Sequence, residues 1–516
     1  MTTLNVNDVT TLASGAAFEE AVNNGLEGPV SIFESIIFFS VLGVPIVLVV
    51  LVASAVIFTL YFGFIQFRGF GVAIEVVRGK FSKPSDPGEV THFQALTSAV
   101  SATVGLGNIA GVGIAMAMGG PGAAFWMVVC GLLGMCTKFV ECTLGVMYRE
   151  IDEEGVVHGG PFKYLPVAFR KVGVLGKILT GIFAVAILVF GVAGGGMFQA
   201  NQAITQIKNV TGGDAGFLGN TWMAFGFGVL LAVLVGVVII GGIKSIGRVT
   251  DKLVPAMAIL YVFSCLVVIL GNAGQIIPAI GTIFAGAFTP QAGLGGLIGV
   301  LIVGFQRAAF SNEAGIGSAP IAHSTVKTRR PVSEGFVAML EPFLDTVVVC
   351  LMTALSIIIA SAPSYVEAVE TTASGGELGA NITGVTLTSD AFGTITGWWP
   401  ILLTVAVVLF AFSTLITWAY YGQKAWHSLF GKTKVGDAIY KLILLAFIII
   451  GSIATLSSVV RLADSALFLC VFINVLGLFI LMPKVKQAMR EYLADRKSGK
   501  LYELGEEDDA QQTTTV

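Results

Sequence analysis

The sequence predicts an all-α polytopic membrane protein with eleven transmembrane helices. Its 516 residues are 55% hydrophobic and only 12% charged, whereas an ordinary soluble domain has about 25% charged residues. The chain also contains long uncharged runs, such as the 45 residues at 93–137. Because a helix needs about 20 residues to cross about 30 Å of hydrocarbon, these runs are long enough to span a bilayer.

Taken in order, the apolar segments predict the eleven spans. The seventh is interrupted, and the uncharged segment 273–290 before it is compatible with a short helix outside the membrane. The spans are 36–64, 93–118, 122–148, 177–206, 220–242, 249–271, 293–325, 334–361, 395–427, 438–460 and 464–483.

The positions of Lys and Arg predict the orientation. With the N-terminus outside, 25 of the 29 basic residues fall in inner loops or in the C-terminal tail, as the positive-inside rule requires. We therefore expect residues 1–35 to be an extracytoplasmic segment and residues 484–516 to be a cytoplasmic tail. Residues 1–30 lack the basic region of a secretory signal, and the net charge of −3 does not favour a nucleic-acid partner.

The spans also predict an internal repeat. Without the first span, 36–64, ten remain, and they divide into two groups of five at 93–271 and 293–483. Since five is odd, the second group is inverted relative to the first. Inverted repeats are typical of secondary transporters, whose binding site lies where broken helices meet near the membrane midplane.

The first helix of each group carries a matching interruption. The segments are VGLGN at 104–108 and AGIGS at 314–318. Glycine costs about 1 kcal/mol relative to alanine inside a helix, and unwound backbone is tolerated at membrane depth only where protein or a cavity surrounds it. Gly107 and Gly111 alone would also suit a helix-packing face, but two matched interruptions favour a binding site.

Six charged residues fall within the spans, where they are candidates for function. Lys138 and Glu141 are three residues apart and predict a structural ion pair. Glu341 and Asp345 share a helix face and repel each other unless a proton or cation intervenes. The six are Lys138, Glu141, Arg307, Glu313, Glu341 and Asp345.

Two other function classes fit the sequence less well. A channel would need a continuous polar pore, often with rotational symmetry, and the inverted pattern argues against it. An intramembrane enzyme would need a buried catalytic histidine or metal site. All four histidines fall at or near predicted cytoplasmic helix ends, so we expect neither catalytic residues nor an enzyme.

Two long segments resemble the alanine or glycine:cation symporter family, also called sodium:alanine symporters. They are TSAVSATVGLGNIAGVGIAMAMGGPGAAFWM at 97–127 and FQRAAFSNEAGIGSAPIAHSTVKTRRPVSEGFVAMLEPFLDTVVVC at 305–350. The resemblance implies a LeuT-type inverted repeat with one extra N-terminal helix. It also implies sodium-coupled uptake of alanine, glycine or similar small neutral amino acids across a bacterial inner (plasma) membrane, with no cofactor besides the coupling ion. The oligomeric state stays open.

The resemblance further implies where the amino acid binds. The amides of Gly105 and Gly107 would meet the substrate carboxylate at the positive end of a half-helix. Asn312 and nearby freed carbonyls would receive the ammonium group, and aromatic walls would favour a small side chain. Gln199 and Asn201 would either complete the polar lining of the site or join helices. The implied substrate-binding residues are Thr103, Gly105, Gly107, Asn108, Gln199, Phe310, Ser311, Asn312 and Trp418.

Two sodium sites follow from the same resemblance. The first would use Thr103 and Asn108, with Ser311 or Asp345. The second would use carbonyls near 101–104 and at 410 together with the hydroxyls of Ser413 and Thr414, although such hydroxyls often bond back to their own helix. The implied ligands are Ser101, Thr103, Val104, Asn108, Asp345, Phe410, Ser413 and Thr414.

The coupling ion has an alternative. Some proton-coupled relatives of the fold place a lysine in the fifth core helix instead of the second sodium. Here no basic residue follows Lys252 until Arg307, which favours sodium; proton coupling in the same fold is the alternative.

Overall fold

The computed structural model describes residues 15–41, 43–288, 296–376 and 384–501. These residues are mostly helical, with two short antiparallel hairpins. Within the described ranges, 7 helices are long and apolar enough to cross a membrane, and three shorter apolar helices accompany them. The chain is therefore a multi-pass helical membrane protein, as the composition predicts.

The first apolar helix begins later than the hydropathy pattern indicates. Helix α1 (Gly15–Ile37) is followed by a hairpin of β1 (Ser40–Val41) and β2 (Val44–Pro45). Only then does α2 (Ile46–Tyr61) begin, with the extended Pro45 at its N-cap. The apolar run predicted as one span, 36–64, thus contains a helix end, a turn and a helix, because apolar composition alone does not mark a hairpin.

The next helices build the first half of the core. The second and third predicted spans are not separated by a loop, since the chain bends at Gly120, which has a φ of 60° and precedes Pro121. The elements are α3 (Ile65–Arg68), α4 (Phe70–Val77), α5 (His92–Thr103), a π-helical turn (Gly107–Gly111), α6 (Val112–Met147), β3 (Glu150–Ile151), β4 (Val157–His158), α7 (Pro161–Ala168), α8 (Val174–Val192), a π-helical turn (Ala193–Met197), α9 (Phe198–Val210), α10 (Thr221–Ile239) and α11 (Gly242–Gly271).

The second half contains the other interrupted helix. The segment 273–290, in which a short helix is expected, contains α12 (Ile276–Phe288). Residues 289–290 of this segment lie outside the described ranges. The elements are α12 (Ile276–Phe288), α13 (Gly296–Asn312), α14 (Ala319–His323), α15 (Pro331–Ala338), α16 (Leu340–Pro342), a π-helical segment (Phe343–Cys350), α17 (Leu351–Ala360), α18 (Pro363–Ala373), α19 (Val385–Gly393), α20 (Trp399–Phe430), α21 (Lys434–Gly451) and α22 (Leu456–Lys497).

The last helices differ from their predicted bounds. The turn between α21 and α22 lies at 452–455, so residues 456–460 belong to the last helix rather than to the tenth predicted span. Helix α22 also continues past residue 483 into the predicted tail, where Arg330 contacts Asp495 at 2.9 Å. Because helix propagation needs no apolar residues, the end of an apolar run does not mark the end of the helix.

Close helix packing places both interrupted helices in the core. Helix α13 crosses α6 where a Cβ on Gly304 would lie 2.7 Å from the Cβ of Trp126. Small residues at such crossings let helix backbones approach closely in a membrane protein. The unwound segments after α5 and after α13 are buried, and Gly107 lies against Ser311 at the end of α13.

Candidate functional site

The first interruption follows α5. Val104, with a ψ of 84°, leaves the helical conformation directly after Thr103. The freed amides find side-chain acceptors: the N–H of Gly105 donates to Asn108 Oδ1 at 2.9 Å, and the N–H of Leu106 donates to Gln199 Oε1 at 3.1 Å. These bonds satisfy unwound backbone that buried surroundings would otherwise penalise.

Glycine is required at this interruption because residues of neighbouring helices approach its backbone closely. A Cβ on Gly105 would lie closer than 3.0 Å to the hydroxyl of Thr414. A Cβ on Gly107 would lie 3.3 Å from Ser311 Cα, on the second interrupted helix. Gly111, by contrast, has nothing within 4 Å of its added Cβ. Gly105 therefore serves the contact with α20 and Gly107 the contact with the second interrupted helix, and Gly111 is not part of a tight packing face.

The second interruption follows α13. Glu313 has a φ of 56°, and Gly315 and Gly317 have φ values of 94° and 86°. Left-handed backbone at a non-glycine residue costs free energy and concentrates at functional sites. Helix α14 begins only at Ala319, so both interruptions expected from the sequence are present.

A carboxylate joins the two interruptions. Asp345, fully buried in the π-helical segment, accepts from Asn108 Nδ2 at 2.5 Å and from Ser311 Oγ at 2.9 Å. Thr346 Oγ1 also donates to Asp345 at 2.7 Å, and Asn312 Nδ2 donates to Thr346 Oγ1 at 3.0 Å. Asn108, Ser311 and Asp345, predicted from separate segments, thus meet at one point.

A second group of oxygen atoms joins α5 to α20. The Ser101 hydroxyl donates to the Ser413 carbonyl at 2.8 Å, and the Thr414 hydroxyl donates to the Ser101 carbonyl at 3.0 Å. Ser413 bonds back to the Phe410 carbonyl at 2.9 Å, as adjacent hydroxyls often do. Thr417, which the sequence reading missed, donates to Ser101 Oγ at 3.0 Å. Its position one turn after Ser413 and Thr414 was the available signal.

Aromatic rings pack beside these contacts. Phe310 packs against Phe198 with ring centroids 5.0 Å apart, and Trp418 packs against Phe190 at 4.7 Å. The Trp418 Nε1 donates to Glu313 Oε1 at 3.0 Å. Phe190 and Phe198 flank the glycine-rich π-helical turn at 193–197 and were not singled out from the sequence.

The chain matches a known protein family over nearly its whole length. Residues 31–505 match the sequence profile described as the Sodium:alanine symporter family. The chain belongs to this family. Its relatives are transporters, and the protein is accordingly a transporter of the plasma membrane and not an enzyme.

Curated relatives match the symporter chain over nearly their whole length. The Sodium/alanine symporter AgcS of Methanococcus maripaludis is 38% identical, covering 88% of this chain and 95% of that protein. The Probable sodium/glutamine symporter GlnT of Bacillus subtilis is 32% identical, covering 88% and 89%. The Putative sodium/proton-dependent alanine carrier protein YrbD of Bacillus subtilis is 31% identical, covering 88% and 90%.

A solved structure shares the fold of the symporter. The crystal structure of MhsT in complex with L-phenylalanine matches with a TM-score of 0.51 at 16% identity, covering 75% of this chain and 88% of that one. MhsT is a LeuT-type transporter. The symporter therefore has a LeuT-like fold.

The two amides of α9 occupy different places in the symporter. Gln199 reaches the first interruption, accepting from Leu106 and donating from Nε2 to the Gly194 carbonyl at 3.1 Å. Asn201 instead donates to the Ala454 carbonyl at 2.6 Å, in the turn before α22. Of the two alternatives left open for Asn201, the structure favours joining helices.

The predicted ion pair between Lys138 and Glu141 is wrong. Lys138 Nζ lies 3.0 Å from Glu341 Oε1, whereas Glu141 accepts from Asn474 Nδ2 at 2.6 Å. Glu341 and Asp345 each accept hydrogen bonds from donors of their own, and these donors offset the repulsion expected between the two carboxylates. Spacing along one helix identified the buried charges of the symporter, but partners on other helices decide how they pair. Arg307 likewise pairs with Asp464 on α22, which the sequence reading overlooked.

The prediction that every histidine lies outside the buried interior is also wrong. His92 and His323 have side chains that are 3% and 0% exposed, and both contact Glu334. His158 and His427 are partly exposed and contact Asp152 and Asp437. Helix ends of the symporter that appear peripheral in the sequence are covered by neighbouring elements.

Proposed function

We propose that this symporter couples sodium to the uptake of small neutral amino acids, such as alanine and glycine, by alternating access. The observation that carries the proposal is the group of oxygen atoms between α5 and α20 described above. It contains hydroxyl and carbonyl oxygens of Ser101, Ser413 and Thr414 and joins an unwound helix to its neighbour. Hard cations prefer such ligands.

One sodium ion would bind in this group. Its ligands would come from the carbonyls of Ser101, Val104 and Phe410 and from the hydroxyls of Ser413 and Thr414. The Thr417 hydroxyl, 3.0 Å from Ser101 Oγ, orients the group from one turn further along α20. With sodium bound, these hydroxyls would turn their oxygen lone pairs towards the ion.

A second sodium ion would bind beside Asp345. Asn108 and Ser311 already contact this carboxylate, and the Thr103 carbonyl lies on the same unwound segment. Among the described residues no basic side chain contacts this buried carboxylate, and this favours a bound cation because an isolated charge is costly in the interior. The carboxylate of the substrate could share this ion, which would couple the two ligands directly.

The amino acid would bind where the two interruptions meet. The amides of Gly105 and Gly107 would approach its carboxylate, displacing Asn108 Oδ1 from the Gly105 amide. Gln199, Asn312 and freed carbonyls near Ser311 would contact its polar groups. Phe310 and Trp418, each packed against further aromatic rings, would limit the side chain to a hydrogen or a methyl group.

The layout proposed with this function has eleven spans. One extra N-terminal helix precedes two inverted groups of five helices, at about 93–271 and 293–483, with the N-terminus outside and the C-terminus in the cytoplasm. All six native cysteines are buried, so a reagent that labels surface thiols should react with a cysteine introduced at the surface. A membrane-impermeant maleimide should label Ser374→Cys but not Ser498→Cys in intact cells, and the opposite pattern would reverse the orientation.

Uptake into proteoliposomes tests the function. Labelled alanine should accumulate when a sodium gradient is imposed, and unlabelled glycine and alanine should compete for uptake. Glutamine should compete weakly, because the proposed pocket is enclosed by bulky rings. Uptake that follows a proton gradient and ignores sodium would overturn the sodium assignment in favour of the proton-coupled alternative.

A further inference from the structure

A chain of buried titratable side chains, none of them a proposed sodium or substrate ligand, includes Glu341, four residues before Asp345. Lys138 Nζ contacts Glu341 Oε1 at 3.0 Å, and the other oxygen of Glu341 faces His323 Nε2 at 3.7 Å. His323 Nδ1 contacts Glu334 at 2.5 Å, and His92 Nδ1 contacts the second oxygen of Glu334. Of these five side chains, four are 0% exposed and His92 is 3% exposed.

The chain holds two acceptor atoms that face each other. An ionised carboxylate only accepts hydrogen bonds, so the Nδ1 atoms of both imidazoles donate to Glu334. A neutral His323 then carries a lone pair on Nε2, pointing at Glu341 Oε2. Among the described residues neither of these two buried atoms has a hydrogen-bond partner. One proton on His323 Nε2 would turn the opposed pair into a hydrogen bond after a small approach.

The charge balance of the buried side chains also favours a proton on His323. Lys138, Glu341 and Glu334 carry a net charge of −1 when both histidines are neutral. A protonated His323 brings the buried set to zero and makes the charges alternate in sign along the chain. Buried charges are tolerated when they are paired and hydrogen-bonded, so a proton on His323 suits both its neighbours and the set as a whole.

Other titratable groups also face this chain. Helix α6 contributes Glu141 and Cys142, and Arg149 follows its end. Glu313 at the second interruption, Asp345 in the π-helical segment and Tyr421 on α20 also belong to the surroundings. Glu141 and Glu313 have their own donors, Asn474 and Trp418, and Arg149 binds carbonyls at 324 and 326. None of them donates into the gap between His323 and Glu341.

We propose that His323 binds a second proton, so that its imidazolium ring bridges Glu334 and Glu341. This protonation controls the opening of the side of the protein that carries the basic loops. The bridge joins elements that must separate for that side to open. His92 begins α5 and His323 ends α14, which are the half-helices next to the two interruptions, while Glu334, Glu341 and Lys138 belong to α15, α16 and α6.

Backbone contacts mark the same junction. The N–H of Glu89, just before α5, donates to the Thr325 carbonyl at 2.7 Å, and the N–H of Lys327 donates to the Val90 carbonyl at 2.8 Å. The ends of α5 and α14 are therefore held together in this structure. Binding and conformation are linked reciprocally, so a proton that binds more tightly to this closed arrangement shifts the equilibrium away from the open one. The inference rests on the proposed function and orientation, in which this side faces the cytoplasm.

The test measures sodium-driven alanine uptake at several pH values, with the same pH on both sides of the proteoliposome so that no proton gradient exists. One linked proton changes the closed-to-open ratio by up to about tenfold per pH unit. We expect wild-type uptake to rise at least about threefold between about pH 6 and about pH 8, the range in which histidine titrates. In His323→Gln this rise should be lost.

Matched variants separate the site from other effects. His158→Gln and His427→Gln remove the two partly exposed histidines and should keep the wild-type pH profile. Glu341→Gln supplies an amide donor to neutral His323 in nearly the same volume, so it should lose the pH dependence as His323→Gln does. Equilibrium binding of alanine in detergent gives a second measurement, in which acid pH should alter wild-type affinity but not that of either variant.

Two results would overturn the proton site. They are a pH profile of His323→Gln that equals that of the wild type, and a wild type with no pH dependence in either measurement. Sodium dependence at one fixed pH is determined separately in the same vesicles. Its loss would contradict the proposed function, whereas its persistence without pH dependence would contradict only the proton site.

Discussion

Replacing Gly105 by alanine tests the geometry of the first interruption. The added Cβ would lie closer than 3.0 Å to Thr414 Oγ1, whereas ordinary contact begins at 3.4 Å. Either Thr414 or the unwound backbone must move, and overpacking of this kind costs about 1–3 kcal/mol. Because the Thr414 hydroxyl donates to the Ser101 carbonyl at 3.0 Å, this movement displaces the proposed sodium ligands.

A loss of sodium affinity is expected in addition to the loss of stability. Losing a hydrogen-bonding group next to an ion costs about 1.5–3 kcal/mol, and each 1.4 kcal/mol corresponds to about tenfold in affinity. The sodium concentration for half-maximal uptake should therefore rise about tenfold to about a hundredfold in Gly105→Ala. Sodium-activation curves in proteoliposomes measure it, and thermal unfolding in detergent reports the stability.

Gly111→Ala is the matched control. Gly111 lies in the adjoining π-helical turn, and its added Cβ would meet nothing within 4 Å. This variant should keep wild-type sodium activation and stability. Gly105→Ala combined with Thr414→Ala should regain stability without regaining sodium affinity. Normal sodium activation in Gly105→Ala would refute the reasoning, and a defect in Gly111→Ala would support a packing role for the glycines.

Three further changes probe the surrounding contacts. Asn108→Ala removes a donor to Asp345, so the apparent affinities for sodium and alanine should both fall by about tenfold; normal sodium dependence of a folded variant would contradict its role. Lys138→Met leaves Glu341 buried without its cation and should destabilise the protein by about 3–5 kcal/mol, measured by thermal unfolding, with recovery in the double variant Lys138→Met, Glu341→Gln. Trp418→Phe shortens a wall of the pocket, so larger amino acids should compete better for alanine uptake; an unchanged competition panel would count against this wall.

Much of the architecture could be predicted because the membrane constrains the sequence strongly. Unsatisfied backbone is excluded from hydrocarbon, so spanning segments must be long, apolar and helical. For the same reason the glycine pairs at 104–108 and 314–318 stood out, since a break inside such a helix needs a special cause. The family likeness then pointed to Asn108, Ser311 and Asp345, which the structure brings into contact.

The pairing of the buried charges could not be predicted in this way. Lys138 lies one helical turn from Glu141 but points at Glu341, which is far away in sequence. A period of 3.6 residues states which side chains share a face, but it does not state which neighbouring helix that face meets. His92 and His323 show the same limit, because the helix ends that carry them are buried by segments from elsewhere in the chain.

The sequence by itself determined the class of protein, its apolar helical character, the two interruptions and the family, because each depends on local composition or on a continuous motif. Only the tertiary structure decided that Gly105 lies against Thr414, that Thr417 joins Ser101, and that His323 faces Glu341. These contacts depend on how helices cross, and crossing is determined by packing among residues distant in the chain.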